Sequence, residues 1–243
     1  MKKILFLQLL VFLTVSPVFA GVTAEKILQK ADTFRGFGDK GFSFDLTIVS
    51  HRPNKKAAKN LLQVNVQSEK SLVKFLAPKR VKGRAMLFEG RNLWLKIPRT
   101  RKVIRISPAQ RLMGEASNGD VAATNFSRDY KSVLVGEEPV EGTLCFRLSL
   151  TAVDRRVTYH KIEYWVSKET GKPFKSMHYS VSGKLLKVAF YKSFEKFQGE
   201  EKINRLLLIN PLFKGKYTWM IYKNYQSKDH AEHLFRKENL NRL

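Results

Sequence analysis

The sequence predicts an α+β protein that is mostly β: a strongly curved antiparallel half-barrel of about eleven strands, with a few helices forming a lid over a hydrophobic cavity. Three observations lead to this fold class. Apolar and polar residues alternate with a period of two through most of the chain, turn residues separate the alternating segments, and no strand–helix–strand rhythm occurs. So wide a sheet must curl, and a few short helices cannot fill its concave face, which predicts a cavity.

The first residues have the pattern of a secretory signal peptide. Two lysines precede an apolar run over residues 4–15, and small residues surround a cleavage site after Ala20. The apolar run is too short to span a membrane as a helix. We therefore expect residues 1–20 to be removed on export to the periplasm, and residues 21–243 to form a single soluble domain.

The chain is strongly basic, with a formal net charge of +24. Such a charge is typical of proteins that bind nucleic acid, but export argues against that partner. Anionic lipid head groups of the cell envelope are the alternative, as is an exterior that is merely solvated. Cys145 is the single cysteine, so it forms no intrachain disulfide, and its strand pattern indicates a structural side chain rather than a reactive thiol.

The coarse elements follow from periodicity and turn signals. Thr23 is expected to cap a first helix that buries Ile27, Leu28, Ala31 and Phe34 and ends at the glycines that follow. A basic loop is expected over 51–59 and a last helix over 229–240. The predicted strands are 42–48, 62–66, 72–76, 84–88, 93–97, 103–106, 144–152, 161–166, 174–181, 186–194, 205–209 and 217–222.

The segment 90–130 is the most distinctive part of the chain. It is expected to form a β-hairpin around Pro98, a short helix after Ser107 and a polar loop of small residues over 114–125. It contains no nucleophile beside a base and no metal-ligand cluster. A structural or binding role is therefore favoured over catalysis.

Motifs with catalytic or cofactor chemistry fail on their context. Gly36, Gly38 and Gly41 match a dinucleotide-binding pattern by letters, but here a helix precedes them and a strand follows, the reverse of the required order. Two Ser-x-x-Lys matches lie in predicted strands. His230 and His233 share a helix face without the further ligands that zinc needs. We expect no enzyme, no cofactor and no metal.

One carboxylate pair, Asp120 with Asp129, is a candidate for catalysis. Asp129 is expected instead to cap a turn or to pair with Arg105 or Arg128. What remains is apolar binding, because ligand pockets are mostly apolar with few polar groups. The sequence does not separate cavity lining from ordinary core. The candidate cavity residues are Phe42, Phe44, Leu62, Val64, Met86, Phe88, Trp94, Leu95, Phe146, Leu148, Phe190 and Trp219.

A set of short motifs is concentrated in and just before the segment 90–130. They are Lys82-Gly83-Arg84, Asn92-x-Trp94 with Pro98, Arg105-Ile106, Met113-Gly114, Asp120 and Phe126-Ser127-Arg128-Asp129-Tyr130. Together they resemble the LolA-like family of outer-membrane lipoprotein-sorting proteins. The resemblance extends over nearly the whole chain after the signal peptide and is most specific in the segment 90–130. This chain departs from the family in having Lys96 where an aromatic residue is common, and a longer loop over 114–125.

The resemblance implies a periplasmic carrier that binds lipid or the acyl chains of lipoproteins and delivers them towards the outer membrane, alongside an inner-membrane transporter. The alternative is a basic β-rich adaptor that docks on a transporter or membrane and carries nothing, and an enzyme acting on lipids is third. The expected lid or gate residues are Met113, Gly114, Asp120, Asp129 and Tyr130. The expected membrane or partner surface is Arg99, Arg101, Lys102 and Arg105.

Overall fold

The protein is described here from a computed structural model, which covers residues 22–36, 40–100, 102–122 and 125–242. The predicted signal peptide, Gly38 and Arg101 therefore lie outside the described residues. Within them, no helix is long and apolar enough to cross a membrane.

Strands dominate the chain. The helices are α1 (Ala24–Thr33), α2 (Asn118–Ala122) and α3 (Phe126–Asp129), and two 3-10 helices follow the last strand at Glu232–Phe235 and Lys237–Arg242. The strands are β1 (Phe42–Arg52), β2 (Lys55–Gln67), β3 (Lys70–Ala77), β4 (Ala85–Glu89), β5 (Asn92–Lys96), β6 (Val103–Ile106), β7 (Arg111–Met113), β8 (Ala116–Ser117), β9 (Tyr130–Val140), β10 (Thr143–Ala152), β11 (Lys161–Ser167), β12 (Pro173–Tyr179), β13 (Leu185–Phe197), β14 (Glu200–Ile209) and β15 (Tyr217–Ser227).

Thirteen strands form one antiparallel sheet in the order β6-β5-β4-β3-β2-β1-β15-β14-β13-β12-β11-β10-β9. The first and last strands of this order, β6 and β9, are not paired with each other, so the curved sheet stays open. The predicted fold class is confirmed. The twelve strand ranges predicted above correspond to β1–β6 and β10–β15, and the thirteenth strand of the sheet, β9, was not predicted. The small β7–β8 hairpin forms a separate two-stranded sheet.

The concave face of the sheet carries the main hydrophobic core. Along β1 the even-numbered residues from Phe42 to Ile48 are buried and the odd-numbered ones between them are not, as the period of two requires. Helix α1 packs on this face as predicted: Thr23 Oγ1 accepts a hydrogen bond from Lys26 N at 3.3 Å, and Ile27, Leu28 and Ala31 are buried.

The convex face is covered over β3–β6 by the C-terminal segment. Phe235 and Leu240 are fully buried there against Leu72 and Leu87. The helix predicted over 229–240 is therefore wrong in type, because the chain forms two short 3-10 helices instead. The start of the C-terminal segment is held by a hydrogen bond that Gly41 N donates to Asp229 Oδ1 at 3.2 Å.

Two other local predictions are also corrected. The basic loop expected over 51–59 is mostly strand, because β1 and β2 continue to a tight turn at Pro53-Asn54 in which Asn54 has a φ of 55°. The single short helix expected after Ser107 is replaced by the β7–β8 hairpin and the short helices α2 and α3. Tertiary contacts with the concave face stabilise this segment.

Candidate functional site

The described residues between β6 and β9 (107–122 and 125–129), which we call the inserted segment, cover the concave face together with α1. Helix α2 contacts β3 and β4, and α3 contacts α1 and β9. Met113, Ala116, Val121 and Phe126 are buried in the main core. The segment therefore lies within the curve of the sheet and contributes to the core.

Gly114 allows the inserted segment to approach the sheet closely. Its φ is +58°, and a Cβ built on it would lie 2.2 Å from Thr218 Oγ1 and 2.4 Å from Ser50 Oγ. The next residue is tied to the same strand, because Glu115 N donates to Thr218 Oγ1 at 2.9 Å. Only glycine fits both the backbone conformation and the space.

A buried polar cluster anchors the segment to the opposite wall. Lys187 on β13 is 3% exposed, and its ammonium donates to the Asp120 carboxylate and, at 2.6 Å, to the Glu115 carbonyl oxygen. Tyr159 donates its hydroxyl to Asp120 Oδ1 at 2.7 Å, and Ser117 N donates to Asp120 Oδ2 at 2.7 Å. Asp120 is thus held by three donors, one of them charged.

The pKa values in this cluster follow from burial and charge. Burial alone would raise the pKa of Asp120, but the Lys187 charge and the hydrogen bonds hold that pKa below its ordinary value. Burial lowers the pKa of His178 to about 3, so this imidazole is neutral at neutral pH. His178 lies against Tyr159, with ring centroids 4.5 Å apart, and its Nε2 is 2.8 Å from Ser176 Oγ.

A second polar link joins α3 to α1. Asp32 Oδ2 accepts hydrogen bonds from Ser127 N and Ser127 Oγ, both at 2.7 Å. Burial raises the pKa of Asp32, and the nearby Arg35 charge opposes this rise. Arg35 lies 4.1 Å above the Phe126 ring and donates to Tyr191 OH at 3.4 Å.

Little space remains at the centre of the described interior. A void of about 20 Å³ lies between Arg35, Val121 and the phenol rings of β13 and β15, which is room for about one water molecule. Larger clefts lie elsewhere. One of about 480 Å³ involves α1 and the β2–β3 turn, and one of about 680 Å³ lies along the loop before β11. In this conformation the inserted segment occupies the position that the predicted cavity would have.

The structure brings most of the predicted cavity residues together. Seven of them are buried in the main core, and Leu95 and Phe146 pack against it. The seven are Phe42, Phe44, Leu62, Val64, Met86, Phe88 and Leu148.

The remaining three predicted cavity residues lie on the convex face. Phe190 stands between Ala189 and Tyr191, which face the interior, and Trp219 stands between the buried Thr218 and Met220. Trp94 packs with the small cluster on the convex face beneath the C-terminal segment. Lys237 Nζ lies 4.0 Å from the centroid of the Trp94 ring. These three side chains do not line the interior.

The predicted gate residues all lie at the junction between the inserted segment and the sheet. Met113, Asp129 and Tyr130 are buried. Asp129 pairs with Arg128, one of the two partners expected, with Nε–Oδ1 at 3.1 Å. The Tyr130 hydroxyl accepts from Tyr159 N at 3.3 Å. Asp120 and Asp129 therefore have separate cationic partners and do not form a shared-proton pair.

The predicted partner surface is an exposed basic turn. Arg99, Lys102 and Arg105 are exposed on or beside the β5–β6 turn, and Arg101 lies outside the described residues. The described residues contain no group of three or more His, Cys, Asp or Glu side chains that could hold a metal ion. Cys145 is buried, and burial raises the pKa of its thiol.

Sequence reasoning missed Lys187, Tyr159 and His178, which complete the polar cluster around Asp120. Lys187 and His178 are cross-strand partners on β13 and β12. The available signal was weak: a lysine inside an apolar strand is most often solvent-exposed, and its partner is 67 positions away in the sequence.

The fold and site define a class of protein: an open, strongly curved antiparallel sheet whose concave face is closed by helices and an inserted segment. The LolA superfamily protein NE2245 from Nitrosomonas europaea has a similar structure, with a TM-score of 0.84 and 34% identity over 90% of this chain and 99% of that one. The chain belongs to the LolA superfamily. A family model described as an uncharacterized protein matches residues 67–242.

More distant structures share the fold alone. A putative outer membrane lipoprotein-sorting protein domain from Vibrio parahaemolyticus has a TM-score of 0.76 and 21% identity, over 90% of this chain and 98% of that one. A DUF1329 family protein from Desulfovibrio piger has a TM-score of 0.75 and 20% identity, over 89% and 97%. Among curated proteins, no significant match was found.

Proposed function

We propose that this protein is a non-enzymatic periplasmic carrier that binds lipid, or the acyl chains of lipoproteins, between the curved sheet and the inserted segment, and delivers them towards the outer membrane. An inner-membrane transporter is the proposed donor. Membership of the LolA superfamily supports the class of function. The observation that carries the proposal is the way in which the inserted segment is attached to the concave face.

That attachment is polar at its centre and apolar around it. Asp120, Glu115 and Ser117 meet Lys187 and Thr218 through hydrogen bonds, whereas the surrounding wall is formed by residues such as Leu148, Ile162 and Met220. A buried ion pair contributes little net stability over a well-packed alternative, because its desolvation offsets its attraction. When the segment lifts, both charges regain water, so the loss of their attraction is largely offset.

An acyl chain is such a partner. Each buried methylene stabilises the bound state by about 0.8 kcal/mol, so a chain of ordinary length supplies enough free energy to displace the segment. In the proposed mechanism the inserted segment lifts, the acyl chain takes its place against the sheet, and the segment closes over the chain. The described conformation is then the empty, closed state.

Uptake of a fluorescent fatty acid tests this step. Asp120→Asn removes the charge that anchors the segment and is expected to raise the uptake rate at least several-fold. The double variant Asp120→Asn/Lys187→Met, which leaves no buried charge, is expected to do the same. Glu141→Gln is the control, since Glu141 pairs with Lys192 on the surface at 3.6 Å. Absence of uptake by all four proteins would contradict the proposal.

The second candidate is the basic adaptor without cargo, and the filled interior favours it. Charge reversal at Arg99, Lys102 and Arg105 separates the two functions. An adaptor should lose binding to its transporter or to anionic vesicles and contain no lipid in any variant. A carrier with the same substitutions should retain lipid.

A further inference from the structure

A basic cleft of about 270 Å³ lies outside the interior, between the β3–β4 turn and the β5–β6 turn. Its lining consists of five cationic side chains and one proline: Lys79, Arg80, Lys82, Arg84, Arg99 and Pro98. All five cations are exposed. The two turns touch, because a Cβ built on Gly83 would lie 3.9 Å from Pro98 Cβ.

Backbone hydrogen bonds hold the described residues of both turns. In the β3–β4 turn, Gly83 N donates to Phe75 O at 3.3 Å and Arg84 N donates to Val81 O at 3.1 Å, while Val81 itself is buried in the core. In the β5–β6 turn, Ile97 N donates to Lys102 O at 3.1 Å. The described backbone on both sides of the cleft is therefore hydrogen-bonded to its own turn or strand.

Among the described residues, the five cations have no acidic partner. Within the described part of the chain, none of them forms an ion pair or a side-chain hydrogen bond with a carboxylate, and no carboxylate lines the cleft. Acidic side chains elsewhere are mostly engaged, as Glu163 is by both Arg147 and Lys161. Five like charges facing one cleft repel each other, and an anionic ligand relieves this repulsion.

The same edge of the sheet is basic along its length. By the antiparallel register, this edge carries the connections 53–54, 78–84, 97–102, 153–160, 180–184 and 210–216. Their described residues include eleven Lys or Arg and a single acidic residue, Asp154. The opposite edge has three basic and three acidic residues in its described connections, which are 68–69, 90–91, 141–142, 168–172 and 198–199. Six of these eleven cations belong to the two connections that border the cleft, 78–84 and 97–102, so the excess of positive charge is concentrated there.

The chemistry of the lining points to phosphate. A guanidinium is planar and donates two parallel hydrogen bonds to phosphate oxygens, and lysine supplies additional point charge. Three arginines and two lysines exceed what one phosphate group, with a charge of about −2, would balance. The cleft therefore fits a ligand with two phosphate groups, or two neighbouring phosphates of a lipid surface.

We propose that this cleft binds phosphate groups, either of membrane lipid head groups or of a soluble diphosphate. The site is separate from the proposed acyl-chain site and would be occupied with or without cargo. It also extends the predicted basic surface around Arg99 to the β3–β4 turn, which contributes four of the five cations.

Two probes distinguish the sources of phosphate. Inorganic pyrophosphate is titrated by calorimetry, and flotation is measured with vesicles of phosphatidylglycerol and phosphatidylcholine against vesicles of phosphatidylcholine alone. Lys82→Gln/Arg84→Gln should weaken binding at least about tenfold, since each charge-assisted bond lost is worth about one decade or more. Lys55→Gln/Lys56→Gln is the matched control, because it removes the same charge from the exposed tip of the β1–β2 hairpin.

Binding of pyrophosphate that depends on Lys82 and Arg84 supports the site with a soluble ligand. Binding only to phosphatidylglycerol vesicles, with the same dependence, supports it with a lipid ligand. The proposal is overturned if neither probe binds the wild-type protein, or if the control variant loses as much affinity as the cleft variant. Thermal unfolding of both variants verifies that they are folded. Neither outcome depends on whether the interior carries an acyl chain.

Discussion

The Lys187 ammonium on β13 and the Asp120 carboxylate in α2 form a buried ion pair that joins the inserted segment to the sheet. Their side chains are 4% and 10% exposed. The pair is surrounded by Tyr159, Ser117 and the Glu115 carbonyl, which satisfy the remaining hydrogen-bonding capacity. This contact is the central polar link between the concave face and the segment that covers it.

Removing one partner of this pair should destabilise the protein strongly. Asp120→Asn leaves the Lys187 charge buried without a counter-charge, at a cost of about 3–5 kcal/mol in the free energy of unfolding. The double variant Asp120→Asn/Lys187→Met should recover a large part of that loss. Urea unfolding of the two single variants and the double variant measures the coupling. Simple additivity of the two single effects would show that the pair is not coupled.

Stability should fall between pH 7 and pH 5 because of His178. Its folded-state pKa is lowered to about 3 by burial, whereas the unfolded value is about 6.5. Between these two pKa values the unfolded chain binds one more proton than the folded chain. The contribution of His178 to the free energy of unfolding is therefore fully present above pH 6.5 and is lost as the pH falls below it. The expected loss at pH 5 is about 2 kcal/mol from this group.

The groups facing His178 do not offset this trend in the same window. Asp120 has a lowered pKa, so its contribution is present above its unfolded value of about 3.9 and is lost only below it. Tyr159 and Lys187 also face the His178 ring. Burial raises the pKa of the Tyr159 phenol well above its ordinary value, so this group does not titrate between pH 5 and pH 7. We expect urea unfolding of His178→Gln at pH 7 and pH 5 to show a decrease in unfolding free energy that is about 2 kcal/mol smaller than the decrease for wild type. Equal losses would rule out His178 as the titrating group.

Gly114→Ala should be more destabilising than an alanine at an open turn. Positive φ costs a non-glycine residue about 1–2 kcal/mol, and at Gly114 the added Cβ would also meet Thr218 and Ser50. The matched substitution is Gly142→Ala, where φ is +81° and nothing lies within 4 Å. The difference in unfolding free energy should be about 1–3 kcal/mol. Equal effects would mean that the inserted segment moves aside at little cost.

The C-terminal segment should stabilise the fold without affecting the interior. Phe235 is fully buried on the convex face against Leu72 and Leu87, and its replacement by alanine should cost about 3–5 kcal/mol. Fatty-acid uptake by the folded fraction should remain at the wild-type rate, because the concave face is not involved. A change in uptake rate at constant folded fraction would show that the two faces are coupled.

Local patterns were sufficient to predict the curved antiparallel sheet, the first helix with its Thr23 cap, and most strands. Strand β9 was missed because Gly136-Glu137-Glu138-Pro139 has the composition of a loop, although it pairs with β10 as an edge strand. The inserted hairpin β7–β8 was also missed, because its two short strands are stabilised by tertiary contacts such as that of Glu115 N with Thr218.

The polar site was beyond local reasoning for a specific physical reason. On β13 the apolar residues Val188 and Phe190 lie on the convex face, whereas Lys187, Ala189 and Tyr191 face the interior. Lys187 thus faces inwards while larger apolar side chains of the same strand face outwards, so the usual assignment of apolar residues to the inside gives the wrong face for this strand. Only the register with β12 and the contact with Asp120 identify the face correctly.

The most direct test of the carrier function is native mass spectrometry of the protein purified after export, without detergent. A carrier should retain lipid or an acylated peptide in part of the population, and the Asp120→Asn/Lys187→Met variant should retain more. Extraction of that cargo should return the protein to a single mass without unfolding it. A single cargo-free mass for wild type and variant, together with no uptake of added fatty acid, would contradict the account.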